Sequence, residues 1–286
     1  MLLAIDIGNT TIAFAAMRNG KVKAVERIDT KVAATFVEEG SSYLVLALRK
    51  VLKRFRKKGY VFKMAVICSV VPKALKEMER TLIKSMGFAP QVVGRDIVVP
   101  IKNRYKNPKQ VGQDRLVGAY AALHLYGSTR PSGLLTTGGS TGSTGSPQRS
   151  SPQGGKPLIV IDLGTATTFD VVSPKGEYLG GAIVPGLRLS AESLFAKTAL
   201  LPKIDIRAPK DPIGRTTQES ILSGLFYGYG SLCRGFIDLV SKRIKAHPKV
   251  VMTGGHTRIM KKFIAPNIRI IDEDLVFKGM ALLAAS

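Results

Sequence analysis

One stretch of this sequence occurs twice. Leu3-Ala4-Ile5-Asp6-Ile7-Gly8-Asn9-Thr10-Thr11 is echoed by Ile159-Val160-Ile161-Asp162-Leu163-Gly164-Thr165-Ala166-Thr167, so that Asp162 stands 156 positions after Asp6. The same offset carries Gly20, in the following turn, onto Gly176. Each copy reads as an apolar strand, an Asp-x-Gly turn, a second strand, another turn and a third strand. An internal repeat of this kind predicts two structurally equivalent halves in one chain. Alternating helix and strand signals follow each copy, so the expected class is α/β, with a mixed sheet and flanking helices in both halves.

In the first half, apolar and β-branched runs predict strands over 2–7, 11–17, 21–28, 64–71 and 91–93, with an extended stretch at 97–101. Asn19-Gly20 is a strong hairpin turn. Helices are expected over 41–58, 72–86 and 115–126, and Pro72 suits a first helical position because no N–H is needed there. In the second half, strands are expected over 158–163, 167–172, 177–184, 249–252 and 269–271. A long helix over 217–244, punctuated by glycines, and a C-terminal helix from about 275 complete it. Between the halves, 22 of the 28 residues at 128–155 are Ser, Thr, Gly or Pro. Such a segment buries too little apolar surface to offset its ordering entropy, so a flexible insertion without chemistry is expected. The predicted organisation is 1–127, an insertion at 128–155, and 156–286.

Composition excludes several classes. Hydrophobic residues make up 45% of the chain, enough for a real core. Cys68 and Cys233 cannot build a disulfide framework, and three histidines make a multi-histidine metal centre improbable. No apolar run approaches the roughly 18 residues of a membrane span, and the N-terminus lacks the features of a signal peptide. A cytoplasmic location without membrane attachment is expected. The 43 Lys and Arg against 20 Asp and Glu, a net +23, raise the question of nucleic acid. The densest basic run, from Arg49 to Lys63, overlies an apolar period of three and four, so a solvated helix face is the better reading. No recognition-helix pattern or aromatic-interleaved basic stripe supports nucleic acid as a partner.

The repeated turn has chemical consequences. Its glycine lets a ligand approach the backbone closely, its hydroxyls and N–H groups can donate to phosphate oxygens, and its aspartate can hold a cation. Two such turns facing each other could clamp a polyphosphate. Duplicated Asp-x-Gly meanders of this type resemble the acetate and sugar kinase/heat-shock chaperone/actin superfamily. Within it the chain is similar to type III pantothenate kinases. The matching motifs are Asp6-Ile7-Gly8-Asn9-Thr10-Thr11, Cys68-Ser69-Val70-Val71-Pro72, Gly112-Gln113-Asp114-Arg115, Asp162-Leu163-Gly164-Thr165-Ala166-Thr167, Gly180-Gly181-Ala182-Ile183-Val184-Pro185-Gly186 and Gly214-Arg215-Thr216-Thr217. Ala15 or Ala16 replaces a family glycine, Gly118 stands where an Asn often occurs, and the insertion lengthens the spacing from Asp114 to Asp162.

The resemblance implies duplicated actin-like domains and transfer of the ATP γ-phosphoryl to the 4′-hydroxyl of pantothenate, the opening step of coenzyme A synthesis. It implies Asp114 as catalytic base, and ATP contacts at Asp6, Ile7, Gly8, Asn9, Thr10, Thr11, Ile12, Ala13 and Thr165. Pantothenate contacts are implied at Tyr105, Gly112, Gln113, Asp114, Arg115 and Thr217. Asp6 would hold a divalent cation, magnesium in the first instance, and Asp162 a monovalent one, potassium or ammonium. A Thr253-Gly254-Gly255 turn would lie on the adenosine side, and a homodimer would share each active site. Residue by residue, plainer readings stand beside these: Asp114 as a helix N-cap paired with Arg115, Thr217 as an N-cap, and His124 as structural. A non-catalytic relative acting as a transcription accessory factor, or a kinase for another small molecule, is the alternative.

Overall fold

The computed structural model describes residues 1–30, 43–127, 155–264 and 268–285. The segment expected to be a flexible insertion lies, except for Gly155, outside these residues. In the first sheet β1 (Leu2–Ile7), β2 (Thr11–Arg18), β3 (Lys21–Asp29), β4 (Met64–Ser69) and β5 (Gln91–Val92) lie in the order β3-β2-β1-β4-β5. In the second, β6 (Leu158–Leu163), β7 (Ala166–Val172), β8 (Tyr178–Pro185), β9 (Lys249–Thr253) and β10 (Ile270–Ile271) lie in the order β10-β9-β6-β7-β8. The two orders are the same plan read from opposite edges. β1 is antiparallel to β2 and parallel to β4, as β6 is to β7 and β9.

The repeat extends to irregularities. The outer hairpins shift register between Ala16 and Met17 in one sheet and between Val171 and Val172 in the other. Asn19 and Gly20 both take positive φ, 52° and 71°, the turn whose twist matches its flanking strands. Gly176, the repeat partner of Gly20, has φ 73°.

Helix α1 (Tyr43–Lys57) buries Leu44, Ala47, Leu48, Val51, Leu52 and Phe55. Its basic side chains lie on the opposite, solvated face, where Arg54 pairs with Glu26 at 2.7 Å. Helix α2 (Pro72–Met86) starts on Pro72 and ends at Gly87, whose φ of 75° lets its N–H reach the Ile83 carbonyl. Helix α3 (Gln113–Tyr126) begins two residues earlier than expected because Gly112 takes the cap position.

The long helix expected over 217–244 is three pieces: α5 (Thr217–Ser223), a π-helical turn (Gly224–Gly228) and α6 (Tyr229–Ile244). Two helices went unread in the sequence. They are α4 (Leu187–Lys197), which buries only Leu187 and Ala191 and so carries no one-sided apolar period, and the eight-residue α7 (Thr257–Ile264). Helix α8 (Leu275–Ala284) closes the chain, and no described helix is long and apolar enough to cross a membrane.

Three apolar cores result among the described residues. One lies between the first sheet and α1 and α2, another on the outer face of the second sheet. The third joins the halves: Ala4, Ala15, Val66 and Cys68 of the first sheet and Leu158, Val160 and Val251 of the second pack with Val117, Ala121, Leu275 and Met280 of α3 and α8. Helix α8 thus returns from the second sheet to lie against β1, β3 and β4. A Cβ on Gly279 would meet Val117 at 2.6 Å, so this glycine sets how closely α3 and α8 approach.

Candidate active site

Asp6 ends β1 on the face shared with Ala4 and Ala13, opposite Cys68 on β4. Ile7 and Ile12 point the other way into the first core, so only their main chain can meet a ligand in the cleft. The turn that follows is braced from within: the Gly8 N–H donates to Thr11 O at 3.0 Å, and the Thr30 hydroxyl donates to Gly8 O at 2.8 Å. Asn9 and Thr11 remain exposed at its tip.

Asp162 occupies the equivalent place at the end of β6, in register with Thr168 and Thr253. Gly254, at φ 93°, lies so close that a Cβ there would collide with Asp162 Oδ1. The glycine turn expected on the adenosine side therefore abuts the second acidic tip. Thr165 accepts the Gly186 N–H at 2.9 Å, and the His256 N–H donates to Leu163 O at 3.1 Å. One oxygen of Asp162 is buried without a hydrogen-bond partner among the described residues.

Asp114 lies in the first turn of α3, where its Oδ1 accepts the Arg115 N–H at 2.9 Å. The cap position belongs to Gly112, and no ion pair among the described residues joins Asp114 to the Arg115 guanidinium, so of the plainer reading only the hold on a first-turn N–H is kept. The three carboxylates sit within each other's electrostatic reach. Desolvation first, then Asp114 and Asp162, push the Asp6 carboxyl up to about 7. Desolvation, then Asp114 and Asp170, raise Asp162 to about 7, and desolvation raises Asp114 as well. The two acidic hairpin ends are therefore electrostatically coupled to each other and to Asp114.

The residues expected on the substrate side are assembled across the halves. Lys102 and Arg104 pair with Glu177 at 3.2 and 2.7 Å, and main-chain bonds join Lys102 and Arg104 to Tyr178. That docking lays the Tyr105 ring against Gly180, where a Cβ would meet it at 3.1 Å. Gln113 packs under Gly94, and the Arg115 guanidinium crosses to Asp170 on β7, 2.7–2.8 Å away. Asp170 went unnoticed in the sequence. Its signal was a lone carboxylate inside the apolar run Phe169-Asp170-Val171-Val172, which a core strand tolerates only with partners.

Thr217 is not joined to this group by any hydrogen bond among the described residues. The N-cap expected there belongs to Thr216, which accepts the Glu219 N–H at 3.2 Å while Glu219 accepts the Arg215 N–H at 2.9 Å. His124 stacks on Tyr120 and bonds the carbonyl of Tyr120 within its own helix, in keeping with a structural role.

Twin meanders that aim an acidic turn into a common cleft make this a duplicated actin-like protein. Solved structures share the fold: a Baf family transcriptional activator from Campylobacter jejuni (17% identity, TM-score 0.55, covering 99% of this chain and 97% of that one) and the ethanolamine utilization protein EutJ from Carboxydothermus hydrogenoformans (14%, TM-score 0.50, 98% and 89%). The family is given by closer relatives. Residues 2–139 and 148–239 match the family model described as type III pantothenate kinase. The type III pantothenate kinase of Persephonella marina is 40% identical over 92% of this chain and 90% of its own length. That of Geobacillus thermodenitrificans is 32% identical over 99% and 96%. The chain belongs to the type III pantothenate kinase family.

Proposed function

We propose that the chain is an ATP-dependent kinase that phosphorylates the 4′-hydroxyl of pantothenate, with Asp114 as the proton acceptor. The observation that carries this reading is the meeting of Asp6, Asp114 and Asp162 in one cleft. Phosphoryl transfer asks a protein for positioning, charge neutralisation and a group to take the hydroxyl proton. The turn at Gly8, Asn9, Thr10 and Thr11 and its counterpart at Thr165 offer backbone and hydroxyl donors to phosphate oxygens. Asp114, whose burial strengthens its hold on a proton, suits a base acting on an alcohol.

The donor set fits cations of two kinds. The buried, unpartnered Oδ1 of Asp162 fits a monovalent ion, potassium or ammonium. No cluster of three or more His, Cys, Asp or Glu among the described residues could cage a metal. Asp6 suits magnesium, which keeps its waters and shares its remaining ligands with substrate phosphates. When bound, these ions neutralise phosphate charge that the carboxylates would otherwise repel.

The reading includes a cytoplasmic homodimer. Helix α4 and the segments beyond it leave Leu189, Leu194, Phe195, Leu200, Leu232 and Leu239 exposed, apolar side chains that a second copy could cover. Thr217 would then reach the substrate pocket of the other protomer. Coupled ADP release, measured with and without pantothenate and potassium, tests the activity: turnover should require both. Turnover indifferent to pantothenate, or none at all, would refute it.

A further inference from the structure

Asp170 lies on the cleft face of β7, opposite Val160 of β6, and its side chain is 3% exposed. A carboxylate so buried persists only with its lone pairs engaged. Arg115 Nε and Nη2 reach Oδ1 at 2.8 and 2.7 Å, the Tyr178 hydroxyl donates to Oδ1 at 2.7 Å, and the Thr168 hydroxyl donates to Oδ2 at 3.2 Å. Arg115 Nη2 also donates to Phe169 O at 3.3 Å. One edge of the guanidinium is thus fastened to the second half of the molecule. Its other nitrogen, Nη1, has no protein partner among the described residues.

We propose that Asp170 is a positioning residue that fixes the Arg115 guanidinium in the pantothenate pocket, so that the second half of the chain sets the geometry of a substrate group borne by the first. The inference rests on the pantothenate kinase reading and adds to it a residue and a readout. An arginine held before substrate arrives loses little rotamer freedom on binding, a gain expressed as substrate affinity. Asp114 bonds the Arg115 main chain, not the guanidinium, so no hydrogen bond ties the proton acceptor to the Asp170 contact. Tyr178 belongs to the same device: its hydroxyl orients Asp170 while its main chain holds the loop that carries Tyr105.

Steady-state kinetics with both substrates test the proposal, with folding checked by circular dichroism. Asp170→Asn should raise KM for pantothenate by about tenfold or more, the scale of a lost charge-assisted hydrogen bond. KM for ATP should stay within about twofold and kcat should change less than KM. Added to Arg115→Ala, the same change should raise KM no further, because its effect passes through the guanidinium. Tyr178→Phe, a milder change, should raise KM for pantothenate about threefold. The proposal is overturned if folded Asp170→Asn leaves that KM unmoved, if its effect adds to that of Arg115→Ala, or if Asp170→Asn fails to fold and Tyr178→Phe leaves KM unchanged. Wild-type protein that does not phosphorylate pantothenate would bring down the functional reading and this inference with it. Wild-type turnover with unmoved variants would remove only the role of Asp170.

Discussion

Asp6 and Asp162 bind their protons more tightly in the folded cleft than in the unfolded chain, about 7 against 3.8. Their contribution to stability is therefore complete below about pH 4 and is lost as the pH rises through 7, where the folded state must hold desolvated charge. In cation-free buffer the thermal midpoint should fall between about pH 5 and pH 8. Asp162→Asn should melt above wild type at pH 8, approach it only below about pH 4, and show none of the stabilisation expected of potassium on wild type. A variant that melts below wild type at pH 8 would contradict this. Asp114→Asn should lower kcat by about 10²–10⁴-fold with ATP affinity intact, read from single-turnover rates and nucleotide titration. These three aspartates were legible because each stands two residues from a glycine in a repeated or motif-bearing turn. The partner of Arg115 was not, since Asp170 is 55 positions away and only the packing of α3 against β7 brings it near.

Turn chemistry also decides what the elements do. Gly112 precedes α3 at φ −57°, a conformation open to any residue, yet a Cβ there would collide with Asp114 Oδ1. The obstructing atom is the end of a side chain, so Gly112→Ala should fold with a thermal midpoint near that of wild type. Displacing the carboxylate by about 1 Å should lower kcat by up to about 100-fold. Equal turnover in wild type and variant would show that Asp114 has room to move without consequence. Strands were legible to within a residue or two, since period-two and continuous apolar runs bounded by Asn-Gly or Pro-Lys-Gly mark them plainly. Helices told less: α4 turns Leu189, Leu194 and Phe195 to solvent, and the glycines at 224 and 228 bound a π turn that apolar spacing cannot distinguish from ordinary helix.

For the molecule as a whole, the repeat dictated two like sheets but not how they meet. That depends on α8 returning to the first sheet and on the loop from Lys102 to Arg104 pairing with Tyr178, contacts made over long sequence separation. These contacts bring the two acidic tips, Asp114 and Arg115 together and dock the Tyr105 loop on the second half, while no hydrogen bond among the described residues joins Thr217 to them. If a second copy supplies Thr217, each active site draws on two chains, and two differently disabled chains can repair one another. Mixing equal amounts of Asp114→Asn and Thr217→Ala, after dissociation and reassembly, puts both lesions in one site of each mixed dimer and neither in the other. Random pairing makes half the dimers mixed, so about a quarter of the sites, and about a quarter of wild-type turnover, should return. Either variant alone should stay near its own low rate. Recovery no greater than the sum of the separate rates, in a mixture shown by native mass spectrometry to contain mixed dimers, would mean that each chain completes its own site and that the apolar face on α4 serves another purpose.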